Sequence, residues 1–138
     1  MLVAENVGSI ADPVERLVRS GYAEFNSGVP PNLDYWHADG EYVAAAEDPD
    51  TATHQGIDAV RAQFASWLEA YPDLQVEPLE IQVNGDRAFV WVRFSGHGAG
   101  SNLPIAMELA HIWTVDDGRI RRIAEYSERA DGLKVAGL

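Results

Sequence analysis

Apolar residues recur along this chain at two spacings, and each spacing predicts a different kind of element. Between residues 13 and 26 they fall three and four positions apart, as on one face of a helix, and Asp12-Pro13 supplies a helix start. The same spacing returns at 57–71. After residue 74 the apolar positions alternate, which is typical of strands. This order predicts an α+β fold in which the helices pack on one face of a curved, mostly antiparallel sheet.

Shorter elements connect these runs, and glycine, proline and acidic clusters mark them. The sequence predicts a helical turn at 32–36, a strand at 41–46, a loop at 47–56 that would rim a pocket, and a helical tail at 130–138. Asn84-Gly85-Asp86 separates strands expected at 74–83 and 87–97, because glycine tolerates the positive φ angle of a tight reversal. These two strands therefore form one hairpin.

A second and longer hairpin is predicted at 104–128. Asp117-Gly118 lies between two runs rich in β-forming residues, and an Asp-Gly pair suits the two-residue turn between twisted antiparallel strands. Side chains alternate between the faces of a strand. Counting by twos gives one face on each strand: Met107, Leu109, His111 and Trp113 on the first, and Arg121, Ile123, Glu125 and Ser127 on the second. We therefore expect His111 and Glu125 to share one wall.

The strand at 87–97 is apolar on both of its faces. One face carries Ala88, Val90, Val92 and Phe94, and the other carries Phe89 and Trp91. A strand of this kind is covered on both sides. Because the helices cover only one face of the sheet, the pattern predicts a homodimer formed through the outer face.

Composition narrows the class of protein and its partners. The chain has 22 acidic and 10 basic residues, a formal net charge of −12, which disfavours nucleic acids and anionic membrane surfaces as partners. It has no cysteine, and we expect a cytoplasmic protein without a membrane span. Its 138 residues fit a single domain. We predict an N-terminal segment at 1–11, the folded domain at 12–130 and a C-terminal tail at 131–138.

Three motifs carry a resemblance to a known family. They are YAEFNSG at 22–28, HQGIDAVRAQFASWLEA at 54–70 and AHIWTVDDGRIRRIAEYSER at 110–129. In order and spacing they resemble the NTF2-like superfamily, and within it the SnoaL-like polyketide cyclase branch. The resemblance implies a cone-shaped fold with a pocket between the sheet and the helices, and commonly a dimer. It does not settle the chemistry, because one fold hosts many functions.

The resemblance also implies positions for a reactive pair. In the cyclase branch a catalytic carboxylate on the last strand follows a pocket histidine by fourteen residues, and Glu125 follows His111 at that distance. The branch has aspartate there, so glutamate moves the carboxylate outward by one methylene. Ketosteroid isomerase relatives carry a tyrosine acid in the first helix and an aspartate base on the first strand. A rough alignment places Gly21 and Ala44 at these positions, which disfavours that reaction.

Two interpretations of this pair stay open. A carboxylate in an apolar cavity is a usable base for a carbon acid, with His111 as its polar partner. This would make the chain a cyclase- or isomerase-type enzyme acting on a hydrophobic carbonyl compound. Alternatively, His111 and Glu125 form a buried polar patch in a non-catalytic domain that binds a hydrophobic metabolite. The residues predicted to line the pocket in either case are Trp36, Tyr42, Phe64, Trp67, Met107, Leu109, Trp113 and Ile123.

No signature of a metal or cofactor site is found in the sequence. The four histidines have neither HxH nor HExxH spacing, so we expect no metal centre. The glycines at 96, 98 and 100 lack the spacing of a dinucleotide-binding loop. The sequence therefore predicts a cofactor-independent protein whose partner is a small hydrophobic molecule.

Overall fold

A computed structural model describes residues 12–27, 33–45 and 53–138 of the chain. The predicted N-terminal segment at 1–11 and most of the predicted loop at 47–56 lie outside the described residues. In the described part the elements follow the order α1 (Pro13–Asn26), β1 (Trp36–Val43), β2 (Thr53–Gln55), α2 (Ile57–Ala70), β3 (Gln75–Asn84), β4 (Arg87–His97), β5 (Pro104–Asp116), β6 (Arg119–Tyr126) and α3 (Arg129–Val135).

The strands form one open, curved sheet in the order β2-β1-β6-β5-β4-β3. β1 runs parallel to β6, and every other neighbouring pair is antiparallel. Helices α1 and α2 pack on one face of this sheet, and their side chains form the main core with it. The predicted α+β class, the mostly antiparallel sheet and the helical layer are confirmed.

Helix α1 begins as its sequence predicts and lies close to strand β5. The side chain of Asp12 accepts hydrogen bonds from the backbone amides of Val14 at 3.0 Å and Glu15 at 3.2 Å, which satisfies two free amides at the helix start. A methyl group on Gly21 would lie 2.6 Å from Cη2 of Trp113. The missing side chain of Gly21 thus lets α1 pack directly on the indole ring of Trp113.

The β5–β6 hairpin has the predicted turn, and it places His111 opposite Glu125. Asp117 and Gly118 adopt positive φ angles of 53° and 73° at the reversal. His111 pairs with Glu125, so their side chains project from the same face of the sheet. The expectation that these two residues share one wall is confirmed.

The prediction for Arg121 is wrong, because a register shift interrupts the hairpin. Thr114 pairs with Arg122 and Val115 pairs with Ile120, which leaves Arg121 as an extra residue. The bulge places Ile120 in the core, and the Arg121 guanidinium binds the Asp116 carboxylate at 3.0 Å.

Strand β1 is longer than predicted, and β2 falls within the predicted loop. β1 begins at Trp36 instead of residue 41, and the predicted helical turn is a short turn closed by a bond from the Trp36 amide to the Leu33 carbonyl at 3.0 Å. Asp39 and Gly40, residue types that are depleted in strands, lie in the irregular stretch of β1 between Trp36 and Glu41, where the pairing with β6 shifts register. The depleted residues led the sequence prediction to start the strand only at residue 41.

The outer face of the sheet is partly covered by the chain's own helix α3, which confirms the predicted helical tail. α3 packs on Phe89 and Ala110, and a methyl group on Gly132 would lie 2.7 Å from Cβ of Ala110. The Arg129 guanidinium lies 5.4 Å from the centre of the Phe89 ring and binds the carboxylate of Glu80 at 2.6 Å. The apolar second face of β4 thus has a partner within the same chain, and the homodimer stays a prediction.

Candidate functional site

Two separate spaces lie between the sheet and the helices that cover it. The first is a small cavity of about 60 Å³ lined by residues of α1, α2 and the sheet, and the second is a cleft of about 520 Å³ between α2 and the sheet. Trp67 of α2 and Phe94 of β4 line both spaces and so lie between them. The cleft is within the size range of small-molecule sites, whereas the cavity has room for no more than a few atoms.

The residues that the sequence predicts for one pocket are divided between these spaces. Those that line the small cavity are His111, Trp36, Tyr42, Phe64, Trp113 and Ile123. Those that line the cleft are Glu125, Met107 and Leu109. Trp67 lines both. The indole rings of Trp36 and Trp113 are buried at 5% and 2% exposure, so they belong to the core and cannot contact a ligand in the cleft.

Glu125 carries the charge in the cleft, and two donors hold its carboxylate. The Tyr42 hydroxyl donates to Oε2 at 2.5 Å, and the backbone amide of Ala45 donates to Oε1 at 3.1 Å. Among the described residues lining the cleft, the others are apolar or neutral, including Trp67 and Tyr71. A fixed, half-buried carboxylate in an apolar wall can accept a proton or bind a positively charged group.

Behind Glu125 a row of hydrogen bonds extends into the core. Nε2 of His111 lies 2.9 Å from the Tyr42 hydroxyl, and its Nδ1 lies 2.7 Å from the Tyr22 hydroxyl. The indole N–H of Trp113 donates to the Tyr22 hydroxyl at 2.9 Å. In the described part of the chain, Tyr42 links His111 to Glu125, and His111 lines the small cavity instead of the cleft.

Burial determines the charge state of this row. It lowers the pKa of His111 to about 3, so the imidazole is neutral at physiological pH. Burial also raises the pKa of Tyr22 and of Tyr42, and the nearby Glu125 charge adds to both effects. Both hydroxyls therefore keep their protons, and neither tyrosine nor His111 carries a charge.

A family comparison places this architecture among known proteins. The family model for the SnoaL-like domain matches residues 18–123, which is most of the chain. The chain belongs to the SnoaL-like domain family. The resemblance predicted from the sequence motifs is thereby confirmed. No functionally curated protein matches this SnoaL-like domain.

Solved structures of the same fold are similar to this SnoaL-like domain at low sequence identity. A candidate SnoaL-like polyketide cyclase from Jannaschia sp. CCS1 has a TM-score of 0.71 at 16% identity, over 91% of this chain and 93% of that one. TerC co-crystallised with polyporic acid has a TM-score of 0.72 at 18% identity, over 92% of this chain and 100% of that one. A hypothetical protein with a ketosteroid isomerase-like fold from Catenulispora acidiphila DSM 44928, in complex with trimethylamine, has a TM-score of 0.70 at 20% identity, over 88% of this chain and 92% of that one. At these identities the matches show the fold alone.

Sequence reasoning missed one residue of the SnoaL-like site, Tyr22. The alignment placed Gly21 at the tyrosine position of ketosteroid isomerase relatives, whereas the next residue, Tyr22, points inward and binds His111. Tyr22 lies on the apolar face of α1 with Val18 and Phe25, so the spacing placed its ring in the core. The hydroxyl's partners lie 89 and 91 residues away along the chain, and no local pattern indicates them.

In the described residues of the SnoaL-like domain, no cluster of histidine, cysteine, aspartate or glutamate could hold a metal ion. Among the helices in the same part, none has the length and apolar character needed to cross a bilayer.

The buried, neutral His111 should make the domain less stable in mild acid. In the unfolded chain an imidazole has a pKa near 6.5, whereas in the folded state it is about 3. Between these values the unfolded state binds a proton that the folded state does not, so the free energy of unfolding falls as the pH falls below about 6.5. Between pH 7 and pH 5 we expect a loss of about 2 kcal/mol from this histidine.

Urea unfolding of the wild type and of His111→Gln at both pH values measures this loss. The other acidic and basic groups contribute equally to both proteins, so the difference between their pH dependences isolates His111. Equal pH dependence in the two proteins would show that folding does not lower the pKa of His111.

Proposed function

We propose that this SnoaL-like domain binds a small hydrophobic carbonyl compound in the cleft and acts on it without a cofactor, with Glu125 as the base. The observation that carries the proposal is the position of Glu125 in the wall of the cleft, which the apolar side chains of Trp67 and Leu109 also line. A base must be ionised before it reacts, and the donors from Tyr42 and Ala45 favour the ionised form.

The chemistry available to this site is proton transfer at carbon. Glu125 takes a proton from the carbon next to the carbonyl group, the C–H bonding pair becomes part of an enolate, and the carboxylate becomes a carboxylic acid. The enolate carbon then attacks an electrophilic carbon of the same molecule, as in a cyclase, or takes a proton at another position, as in an isomerase. Glu125 returns its proton to the product or to water in the cleft, so the site is restored without an oxidant or a metal.

The solved structures of the same fold support a small-molecule role. One is a candidate polyketide cyclase and another was co-crystallised with polyporic acid. Both concern aromatic or polyketide carbonyl chemistry, which suits the flat apolar walls that Trp67 and Phe94 give to the cleft.

A second function, non-catalytic binding of a metabolite, is favoured by a different observation. His111 does not line the cleft, so among the described residues the cleft holds a carboxylate but no imidazole or cationic group to stabilise an enolate oxygen. A carboxylate alone suits the binding of a ligand with a positive charge. The similar structure in complex with trimethylamine is an example of an amine in this fold.

A ligand-retention experiment tests whether the cleft is the binding site in either function. The protein is purified under mild conditions and then denatured, and the released small molecules are identified by mass. We expect a hydrophobic compound at a substantial fraction of the protein concentration. Ala44 lines the cleft next to Glu125, so Ala44→Phe should fill part of the cleft and reduce the released amount several-fold.

The matched control is Ala65→Phe, which adds the same ring on the exposed side of α2. It should retain as much compound as the wild type. Equal retention by Ala44→Phe and the wild type would place the ligand elsewhere, and release of no compound after several expression conditions would count against a pocket function.

We also propose that the domain is a homodimer in which the uncovered part of the outer sheet face meets its copy. On that part Trp91 is half-buried and donates to Glu108, and Arg93 pairs with the same carboxylate at 3.0 Å.

Light scattering at micromolar concentration should give twice the mass of one chain. Trp91→Asp should shift the mass toward the monomer, whereas Ser66→Asp on the exposed side of α2 should not. A monomeric wild type would contradict the predicted homodimer. The cytoplasmic location of the protein also stays a prediction.

A further inference from the structure

The hydrogen bonds behind Glu125 begin and end at groups that each have a single role. The indole N–H of Trp113 can only donate, and an ionised carboxylate can only accept. Between them lie Tyr22, His111 and Tyr42, in that order, with contacts of 2.9 Å, 2.7 Å, 2.9 Å and 2.5 Å along the row. Each tyrosine hydroxyl has one proton to give, and so has a neutral imidazole.

The fixed roles of Trp113 and Glu125 determine which atom carries each proton in the row between them. Tyr42 gives its proton to Glu125, so its oxygen must accept from His111, and Nε2 must carry the imidazole proton. Nδ1 is then an acceptor, and it takes the proton of the Tyr22 hydroxyl. The Tyr22 oxygen accepts from Trp113. One arrangement satisfies all four bonds.

The opposite direction of the row leaves the proton of the Tyr22 hydroxyl without an acceptor in the row. If Tyr42 donated to His111, the imidazole proton would move to Nδ1 and point at the Tyr22 oxygen. That oxygen would then face two donors, the imidazole and the indole of Trp113, and the Tyr22 proton would lose its acceptor within the row. A protonated imidazole meets the same conflict at Tyr22 and also places a charge in the core.

We infer that Trp113, Tyr22, His111 and Tyr42 are positioning residues that form a hydrogen-bond row with one direction only, and that this row holds the Glu125 carboxylate in the wall of the cleft through Tyr42. His111 is therefore neither the acid nor the base of the site, and it acts through Tyr42. A proton that Glu125 takes up cannot pass to His111, because Nε2 already carries one. It must leave through the cleft, and this last step rests on the proposed function.

Nitrogen NMR of the histidine side chains tests the direction of the row. Protein labelled with ¹⁵N in histidine shows which ring nitrogen carries the proton, and a His111→Gln sample identifies the signals of His111. For the wild type we expect a single neutral form with the proton on Nε2 and no titration between pH 5 and 8. A proton on Nδ1, a mixture of both forms, or a titration in this range would overturn the inference.

Tyr22→Phe removes the donor to Nδ1 and keeps the shape of the ring. Because one hydrogen bond contributes a factor of about five in an equilibrium, the ratio of the Nε2–H form to the Nδ1–H form should fall by roughly fivefold or more. Tyr35→Phe is the control, because Tyr35 is 38% exposed and is not part of the row. An unchanged ratio in Tyr22→Phe would overturn the inference. The wild-type spectrum decides the direction even if this variant does not fold.

The two proposals fail in different ways. If the wild type has the expected single form of His111 but retains no ligand in any preparation, the direction of the row stands and the proposed function fails. If a ligand is retained in the cleft but His111 is a mixture or titrates, the proposed function stands and the row does not position Glu125.

Discussion

Replacing Glu125 with glutamine is expected to lower turnover by about 10²-fold or more while the affinity for the ligand changes only a few-fold. Glutamine keeps the length of the side chain, and its carbonyl oxygen can still accept from Tyr42. It cannot take a proton from carbon, because a neutral amide is a very weak base. Binding and chemistry should therefore separate. The measurement is the steady-state rate and the dissociation constant for the compound that ligand retention identifies.

The control for this change lies on the exposed side of α2. Glu69 is exposed and lines neither of the two spaces that Glu125 lines, so Glu69→Gln makes the same chemical change outside the site. It should leave the rate and the affinity within about twofold of the wild type. Full turnover by Glu125→Gln would refute the role of this residue as the base. If the wild type shows no turnover and Glu125→Gln weakens binding by more than tenfold, the domain binds a cationic ligand through this carboxylate.

The parts of the fold that the sequence predicted depend on neighbouring residues. The cap at Asp12 and the turn at Asp117-Gly118 each require only a few adjacent positions. Counting away from that two-residue turn would pair His111 with Ala124, and the bulge at Arg121 shifts the register by one residue, so that His111 pairs with Glu125. The shared face of His111 and Glu125 therefore depends on a bulge that the alternation in the sequence did not predict.

The division of the site into a cavity and a cleft could not be predicted in the same way. It depends on where the rings of Trp67 and Phe94 lie after α2 packs on β4, and these rings approach edge to face at 6.0 Å between centres. Periodicity places both residues toward the core but says nothing of the orientation of a ring. The sequence therefore placed Glu125 and His111 on one face of the sheet, whereas the cleft and the partners of Glu125 required the tertiary structure.

Phe64 connects the stability of the domain with the position of its site. The ring is 8% exposed, and its centre lies 5.6 Å from that of Phe25, 6.1 Å from Trp36 and 5.9 Å from Tyr42. It thus joins α1, α2 and β1. Because its edge packs on the ring of Tyr42, it also helps to hold the hydroxyl group that donates to Glu125.

Replacing Phe64 with alanine should lower the free energy of unfolding by about 3–5 kcal/mol, as measured by urea denaturation. The change removes buried apolar surface and extends the existing cavity of about 60 Å³, whose walls are large aromatic rings that cannot collapse into the gap. Ser66→Ala, on the exposed side of the same helix, should change it by less than about 0.5 kcal/mol. A loss below about 1 kcal/mol for Phe64→Ala would mean that α2 does not pack on the sheet through this ring. The position of α2 as one wall of the cleft would then be contradicted as well.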